Sequence, residues 1–258
     1  MFLKAAINGG CTHEDHPGSP TTPEAIAEQT KLAIEAGADV VHFHVRDDEG
    51  GQSIDPDRLD SVLGAIRAIA PHACVGTTTG LWTVQGGHVE RLEAVRSWRS
   101  LPDFASVAFC EEGAEETAQL VVSRGMTLES AVWSIDDVPA LLRSSVLDQN
   151  VRVLIEPLAE DPDVAVEACR EMAAALRAGG VRAPLLYHGD EATVWPVLRA
   201  AAEDGAQIRI GFEDGIELPD GCTATDNAEL IRAAISEYQT YRAEEPDELG
   251  ASGNTSVR

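Results

Sequence analysis

The chain has 258 residues, of which 44% are hydrophobic and 24% charged, and its formal net charge is −25 at pH 7. This composition is typical of a globular protein, and the acidity argues against nucleic acid or an anionic membrane as a partner, because both need basic patches. No apolar run approaches the roughly 20 residues that cross a bilayer. The five cysteines are scattered singly, so we expect reduced thiols and a cytoplasmic protein.

Short β-branched or aromatic runs alternate with longer segments of helical pattern, eight times along the chain. The predicted strands cover residues 2–8, 39–45, 73–78, 104–109, 127–133, 151–156, 184–188 and 207–212. The first helix has Thr22 as its N-cap and stops at Gly37. The later predicted helices cover residues 56–70, 88–98, 114–124, 135–147, 162–179, 190–203 and 226–241.

Eight strand-then-helix units at this length favour a closed (β/α)8 TIM barrel of the α/β class, as one domain over residues 1–243. An open doubly wound sheet is the alternative, but the first strand is followed by no G-x-G-x-x-G motif and the chain has no Walker-type loop. The tail, residues 244–258, has few apolar side chains to anchor it. We expect the tail to be mobile or to form an oligomer contact.

Two histidines lie on the second predicted strand. Because side chains alternate along a strand, His42 and His44 share one face, while Val41, Phe43 and Val45 share the face that packs under the helices. Two neutral imidazoles at this spacing can bind one ion, and zinc is preferred. The alternative is a pair of hydrogen-bonded polar residues in the barrel interior.

The eighth strand repeats this pattern, with Arg209, Gly211 and Glu213 on one face. Closure brings strand eight beside strand one, so the Glu213 carboxylate can reach across the mouth toward the two histidines. Gly211 has no side chain and is expected to leave room for a ligand. Two histidines and one glutamate form an open site, as a catalytic zinc requires.

Arg209 and Asp214 flank that carboxylate. Arg209 offers a cation for a substrate carboxylate, and Asp214 offers an acid–base group near the metal. A structural ion pair between the two is the alternative, and both roles are compatible because an arginine can orient the aspartate that moves the proton.

With these residues in view, the chain resembles the β-keto acid cleavage enzyme family, as a shorter and divergent member. The likeness covers nearly the whole chain and runs through AAINGG, TPEAIAEQTKLAIEAGADVVHFHVRDDEG, TTTG, RIGFEDG and DNAELIRAA. The resemblance implies Zn²⁺ on His42, His44 and Glu213. It also implies a homo-oligomer that transfers a two-carbon unit between a small β-keto acid and acetyl-CoA, giving acetoacetate and a new acyl-CoA.

The resemblance also implies roles for individual residues. Asp214, held by Arg209, would move the proton. Thr78 lies where the family places a hydroxyl that touches substrate, and Ser106 is a further candidate for such a contact. Glu129 falls in the segment of the family's strand-five glutamates and would be an acid–base or positioning group.

Further candidates surround the expected pocket. Cys11 occupies the position of a substrate-contacting glutamate in the family. His188, at the end of strand seven, faces the mouth by strand parity and would contact a substrate carbonyl or carboxylate, or be a satisfied interior histidine. Glu111 and Glu112 could pair with a cationic substrate group, or compensate the dipole of the helix that they open.

Two other functions fit parts of this pattern. A zinc hydrolase or lyase of the amidohydrolase type, acting on a small carboxylated substrate without CoA, also uses H-x-H in a barrel. That type places the pair on strand one and adds histidines after strands five and six, where TLESAVW and VRVLIEP contain none. A non-catalytic metal- or carboxylate-binding barrel is the second rival, and turnover would separate it from the enzymes.

Overall fold

The computed structural model describes residues 1–243, and the predicted tail, residues 244–258, lies outside the described residues. The strands are β1 (Leu3–Ala6), β2 (Val40–Phe43), β3 (Val45–Arg46), β4 (Gln52–Ser53), β5 (Val75–Thr78), β6 (Phe104–Ala108), β7 (Thr127–Val132), β8 (Asn150–Ile155), β9 (Leu185–Tyr187) and β10 (Gln207–Ile210). The helices are α1 (Pro23–Ala36), α2 (Pro56–Ile69), α3 (Gly87–Ser97), α4 (Ala114–Ser123), α5 (Val138–Leu142), α6 (Pro162–Ala178), α7 (Val194–Asp204) and α8 (Asn227–Ala243).

Eight parallel strands close into a barrel in the order β1-β10-β9-β8-β7-β6-β5-β2. A helix follows each barrel strand in the chain, which confirms the predicted single-domain (β/α)8 TIM barrel. Val41, Phe43 and Val45 are buried in the main apolar core, as their strand parity predicts. Within residues 1–243, no helix is long and apolar enough to cross a membrane.

The first helix follows the signals in its sequence. The Thr22 hydroxyl accepts a hydrogen bond from the Ala25 amide at 3.2 Å, and the helix ends at Gly37, which has φ 112°. The capped start satisfies an amide that the first turn of a helix leaves free.

The second predicted strand, residues 39–45, is too long. β2 ends at Phe43, and Val45 and Arg46 pair instead with Ser53 and Gln52 in the antiparallel β3–β4 hairpin. Asp47 closes the turn of this hairpin, because its Oδ1 accepts from the amides of Glu49 and Gly51. The hairpin therefore leaves the barrel directly after the second histidine.

Two predicted helices are also wrong in their bounds. Residues 135–147 form only the short α5, because Asp137 first closes a turn by accepting from the amides of Trp133 and Ser134. α7 begins at Val194 rather than at residue 190, after a 3₁₀ turn over Glu191–Thr193.

An ion-pair cluster lies inside the barrel, toward the N-terminal ends of the strands. Lys4 of β1, Glu129 of β7 and Arg152 of β8 are each at most 5% exposed. The Lys4 ammonium contacts the Glu129 carboxylate, and the Arg152 guanidinium donates to it at 2.9 Å. Burial acts to raise the pKa of Glu129, but the two cations outweigh it and lower the pKa to about 2. The carboxylate is therefore charged at neutral pH and compensates two buried cations.

We expect Glu129→Gln to lower the free energy of unfolding by about 3–5 kcal/mol at pH 7, because it leaves two buried cations without their counter-charge. A carboxylate with a depressed folded pKa stabilises the fold above its unfolded pKa and loses that contribution as the pH falls through the folded value. The difference between wild type and variant should shrink from pH 4.5 toward about pH 2. Denaturant titrations across this range measure it.

The exposed Glu93 supplies the control. Glu93→Gln should change the free energy of unfolding by less than about 0.5 kcal/mol. Equal losses in the two variants, or a difference that does not depend on pH, would contradict the role of Glu129.

Candidate active site

Three side chains that could hold a metal ion converge at the C-terminal mouth of the barrel. His42 lies in β2, His44 follows that strand, and Glu213 lies in the turn after β10. The two histidine Nε2 atoms are 2.9 Å apart. His42 Nε2 is 3.7 Å from Glu213 Oε2, and His44 Nε2 is 3.4 Å from Glu213 Oε1. Donor atoms around one tetrahedral zinc at about 2.1 Å stand roughly 3.4 Å apart, so the arrangement fits a single ion.

Asn8 and Gln52 hold His44 in place. Asn8 Oδ1 accepts from the His44 amide at 2.8 Å, and Asn8 Nδ2 donates to the His44 carbonyl at 2.8 Å. Gln52 Oε1 accepts from Trp82 Nε1 at 3.0 Å and contacts His44 Nδ1. An indole N–H only donates, so the shared Gln52 atom is the oxygen and His44 carries its proton on Nδ1. This tautomer leaves the His44 Nε2 lone pair free for a metal.

His42 and Glu213 have the protonation states that a metal needs. Burial lowers the pKa of His42 well below its usual 6.5, in spite of the nearby carboxylate, so the imidazole is neutral. Burial acts to raise the pKa of Glu213, but Arg209 and the two imidazoles outweigh it and hold that pKa well below its usual range. Among residues 1–243, the buried Glu213 Oε2 has no hydrogen-bond partner. The donor set therefore fits a divalent cation such as zinc.

Two glycines near Glu213 allow close packing that a Cβ atom would prevent. Gly9 has φ 44°, and a Cβ there would lie 2.0 Å from Glu213 Cγ. The expectation that Gly211 leaves room for a ligand is wrong, because a Cβ there would lie 2.0 Å from the Ala6 carbonyl oxygen of β1. Gly211 thus permits the close approach of two neighbouring strands.

Arg209 joins the two carboxylates of the β10 turn. Its Nε and one terminal nitrogen donate to Asp214 Oδ1 at 2.9 Å and 2.7 Å, and the guanidinium lies 2.5 Å from Glu213 Oε1. β10 ends at Ile210, and the Asp214 amide donates to the Gly211 carbonyl at 2.9 Å. A turn, rather than strand alternation, therefore brings Glu213 and Asp214 to Arg209. Asp214 Oδ2 is buried and has no partner within the described chain.

His188 lies behind Asp214. Its Nε2 is 3.0 Å from Asp214 Oδ1, and its Nδ1 is 3.1 Å from Glu156 Oε2. Burial and Arg209 act to lower the pKa of His188, but the two carboxylates outweigh them and raise it to about 9. Both ring nitrogens lie close to protein carboxylates, but among residues 1–243 neither forms a hydrogen bond of regular geometry.

A cavity of about 90 Å³ opens among these groups at the mouth. Thr78 and Ser106 line it, as expected of residues that contact a substrate. The Thr78 hydroxyl accepts from the Gly80 amide at 2.9 Å, and the Ser106 hydroxyl donates to Glu129 Oε1 at 3.1 Å. The remaining lining consists of the three candidate metal ligands, Arg209 and seven others, namely Gly80, Trp82, Ala108, Ala131, Trp133, Leu154 and Glu156.

Other predicted site residues lie outside this cavity. Both carboxylate oxygens of Glu129 accept hydrogen bonds from protein groups, namely Lys4, Arg152 and Ser106. This favours a positioning role over acid–base chemistry. Cys11 is half-buried, and its loop is held by Arg46, which donates to the Cys11 carbonyl at 2.9 Å. Glu111 pairs with the buried Arg91, so no cationic substrate group is needed to explain it.

Several residues of the site were missed by reasoning from the sequence. Asn8 and Glu156 each end a predicted strand, so their positions at the mouth carried a usable signal. Trp133 also ends a predicted strand. Gln52 reaches His44 only through the β3–β4 hairpin, and Trp82 lies in a 3₁₀ turn after β5. No local pattern marks those two positions.

Together, the fold and the site define a (β/α)8-barrel protein with an open two-histidine, one-carboxylate centre at the C-terminal mouth. The chain belongs to the β-keto acid cleavage enzyme family, because the model of that family matches residues 1–245.

Curated relatives agree with this assignment. The 3-keto-5-aminohexanoate cleavage enzyme of Fusobacterium nucleatum subsp. nucleatum is 26% identical over 256 residues, which cover 91% of this chain and 90% of the relative. The 3-oxoadipate:acetyl-CoA acetyltransferase of Cupriavidus necator is 36% identical over 108 residues, which cover 42% of this chain and 36% of the relative.

Among solved structures, the apo structure of ObcA has a TM-score of 0.70 at 18% identity. The match covers 86% of this chain and 62% of ObcA, so the chain spans less than two thirds of that protein. At this identity the likeness shows the fold alone.

We expect Gly9→Ala to weaken zinc binding about 10- to 100-fold, the range typical of damage to residues that support metal ligands. The added Cβ must displace the Glu213 side chain. Gly125→Ala is the matched control, because Gly125 has φ 83° with no atom within 4 Å of an added Cβ. Zinc competition against a chelator measures both affinities. Equal weakening in both variants would mean that backbone strain, and not the Glu213 contact, sets the effect.

Proposed function

We propose that the chain condenses a small β-keto acid with acetyl-CoA to give acetoacetate and a new acyl-CoA, with Zn²⁺ held by His42, His44 and Glu213. One observation carries this proposal. In a member of the β-keto acid cleavage enzyme family, three metal donors lie within 4.8 Å of one another beside a buried Arg209–Asp214 pair. The name of the Cupriavidus relative, an acetyl-CoA acetyltransferase, supports acetyl-CoA as the co-substrate.

A zinc ion at this centre would act as a Lewis acid toward the keto oxygen of the substrate. The donor set is that of an open, catalytic centre rather than a closed structural one. The Gln52 and Asn8 contacts to His44 keep its free nitrogen aimed at the ion position, as supporting residues do in metal sites.

Asp214 is the proposed proton acceptor. Its Oδ1 is occupied by Arg209, while its Oδ2 is buried and unpaired among residues 1–243. This oxygen keeps its lone pairs free of protein donors, as a proton acceptor requires. Arg209 fixes the orientation of Asp214, and the His188–Glu156 pair supports it from behind.

The proposed reaction balances without a further reactant. Asp214 removes a proton from the carbon between the keto and carboxylate groups, and that carbon bonds to the acetyl carbonyl carbon as the CoA thiolate leaves. The thiolate then attacks the original keto carbon. The bond between the original keto carbon and the newly acetylated carbon then breaks. The acetylated carbon regains the proton from Asp214, and the products are acetoacetate and the new acyl-CoA.

Thr78, Ser106 and Arg209 are the proposed substrate contacts. All three line the cavity beside the metal donors. The Arg209 guanidinium is the cation of the cavity wall that could attract the carboxylate of the substrate. Glu129 would act through Ser106, to which it is hydrogen-bonded at 3.1 Å.

The cytoplasmic location and the homo-oligomeric state stay predictions. All five cysteines are free thiols, which suits a reducing compartment. Light scattering of the purified protein would measure the number of subunits.

We expect His44→Ala to lose bound zinc and activity together, because it removes a ligand. Asp214→Asn should keep zinc but lower kcat at least about 100-fold, because it removes only the proton acceptor. Metal analysis and acyl-CoA formation measure the two effects. His72→Ala and Asp136→Asn, both at exposed positions, should leave zinc content and kcat unchanged.

Two outcomes would contradict these roles. Full activity in His44→Ala would exclude it as a ligand of the catalytic metal. Loss of zinc in Asp214→Asn would mean that Asp214, and not Glu213 alone, completes the metal site.

The direct test of the proposed function is a series of β-keto acids incubated with acetyl-CoA and the zinc-loaded protein. Mass spectrometry should detect acetoacetate and the matching acyl-CoA. Substrate loss without acyl-CoA formation would instead indicate a hydrolase or lyase that does not use CoA.

A further inference from the structure

The lining of the mouth cavity indicates which substrate side chain, beyond the keto group, the protein accepts. We propose that this chain acts on β-keto acids whose side chain is short, aliphatic and uncharged. The inference rests on the proposed function and specifies its substrate class.

Four aliphatic residues form one row across adjacent strands of the barrel interior. Ala108 of β6 pairs in register with Ala131 of β7, Ala131 with Leu154 of β8, and Leu154 with Leu186 of β9. All four are at most 8% exposed and contact one another. The first three line the cavity. This row offers a bound molecule no donor, no acceptor and no charge.

The row faces the metal centre across the barrel. In the closed order, β8 is four strands away from β2, which places Leu154 opposite His42 in a ring of eight. A substrate whose keto oxygen points to the histidines must direct another group to the far wall. The carboxylate is held by polar residues on the metal side in the proposed function, so the side chain is the group that meets the row.

Arg209 and Glu156 of the cavity wall each have a partner of opposite charge within the protein, and in the proposed function Arg209 also serves the carboxylate that every β-keto acid carries. Arg209 binds Asp214 and Glu213, and Glu156 Oε2 lies 3.1 Å from His188 Nδ1. A charged substrate side chain against the aliphatic row would therefore lose its water without gaining a counter-charge. Burial of an unpaired charge is strongly unfavourable, whereas burial of an aliphatic group is favourable.

The size of the cavity limits the length of this side chain. Its volume is about 90 Å³, far below the 300–1,000 Å³ or so of pockets for drug-sized ligands. Trp82 and Trp133 narrow the rim, with ring centroids 6.0 Å apart. The small side chains of Ala108 and Ala131 leave space for a few carbon atoms.

The test compares three six-carbon substrates with one another, each incubated with acetyl-CoA and the zinc-loaded enzyme. They are 3-oxohexanoate, which has an uncharged side chain, 3-keto-5-aminohexanoate, which has a cationic one, and 3-oxoadipate, which has an anionic one. We expect kcat/KM for 3-oxohexanoate to exceed both others at least 100-fold. A charged substrate that equals or surpasses 3-oxohexanoate overturns the inference and leaves the proposed function standing. Absence of acyl-CoA from all three overturns the proposed function and this inference with it.

Variants at Ala131 test the position of the side chain. Ala131→Asp places a carboxylate in the row and should raise the ratio of kcat/KM for the cationic substrate over 3-oxohexanoate at least tenfold. Ala131→Leu fills the cavity and should lower the ratio for 3-oxohexanoate over 3-oxopentanoate at least tenfold, so the test survives if the first variant fails to fold. Ala174→Asp, on the exposed side of α6, is the control. Unchanged ratios in folded Ala131 variants would overturn the assignment of the row.

Discussion

The buried guanidinium of Arg209 is the interaction on which the site depends. Glu213 and Asp214 are consecutive carboxylates in one buried turn, and each lies within 2.7 Å of this guanidinium. Without a cation between them, two buried negative charges would repel each other and favour protonation. With it, Glu213 stays charged for a metal, and Asp214 keeps one free oxygen for a proton. The same contact therefore sustains both halves of the proposed chemistry.

Polar and apolar side chains are separated within the barrel interior. Toward the N-terminal ends of the strands, Glu129 pairs with both Lys4 and Arg152 in a buried cluster. At the mouth, the proposed metal ligands occupy the side of β2 and β10, and the aliphatic row occupies β6 to β9. The lower cluster supports the upper layer through Ser106. These buried ion pairs hold the Ser106 side chain in place, as catalysis by preorganised groups requires.

Both stretches that carry the proposed metal ligands lie where regular strands end. His44 follows the last residue of β2, and Glu213 lies in the turn after β10. Their positions depend on Asn8 and Gly9, which belong to the segment after β1. Closure of the barrel places β1 between β2 and β10. The segment after β1 therefore holds together two ligand-bearing elements that are far apart in the chain, which explains why it contains a buried amide and a glycine with positive φ.

The sequence by itself determined the eight strand–helix units, the barrel and the pairing of His42 with His44, because strand periodicity and helix caps are local signals. It also indicated Glu213 and Asp214, through their place after the last strand and the resemblance of the surrounding motif to a known family. Only the tertiary structure decided that Gln52 orients His44, that His188 lies between two carboxylates, and that Gly211 admits a neighbouring strand rather than a ligand. These contacts join residues from different β/α units, so barrel closure and hairpin geometry create them, and no local pattern encodes them.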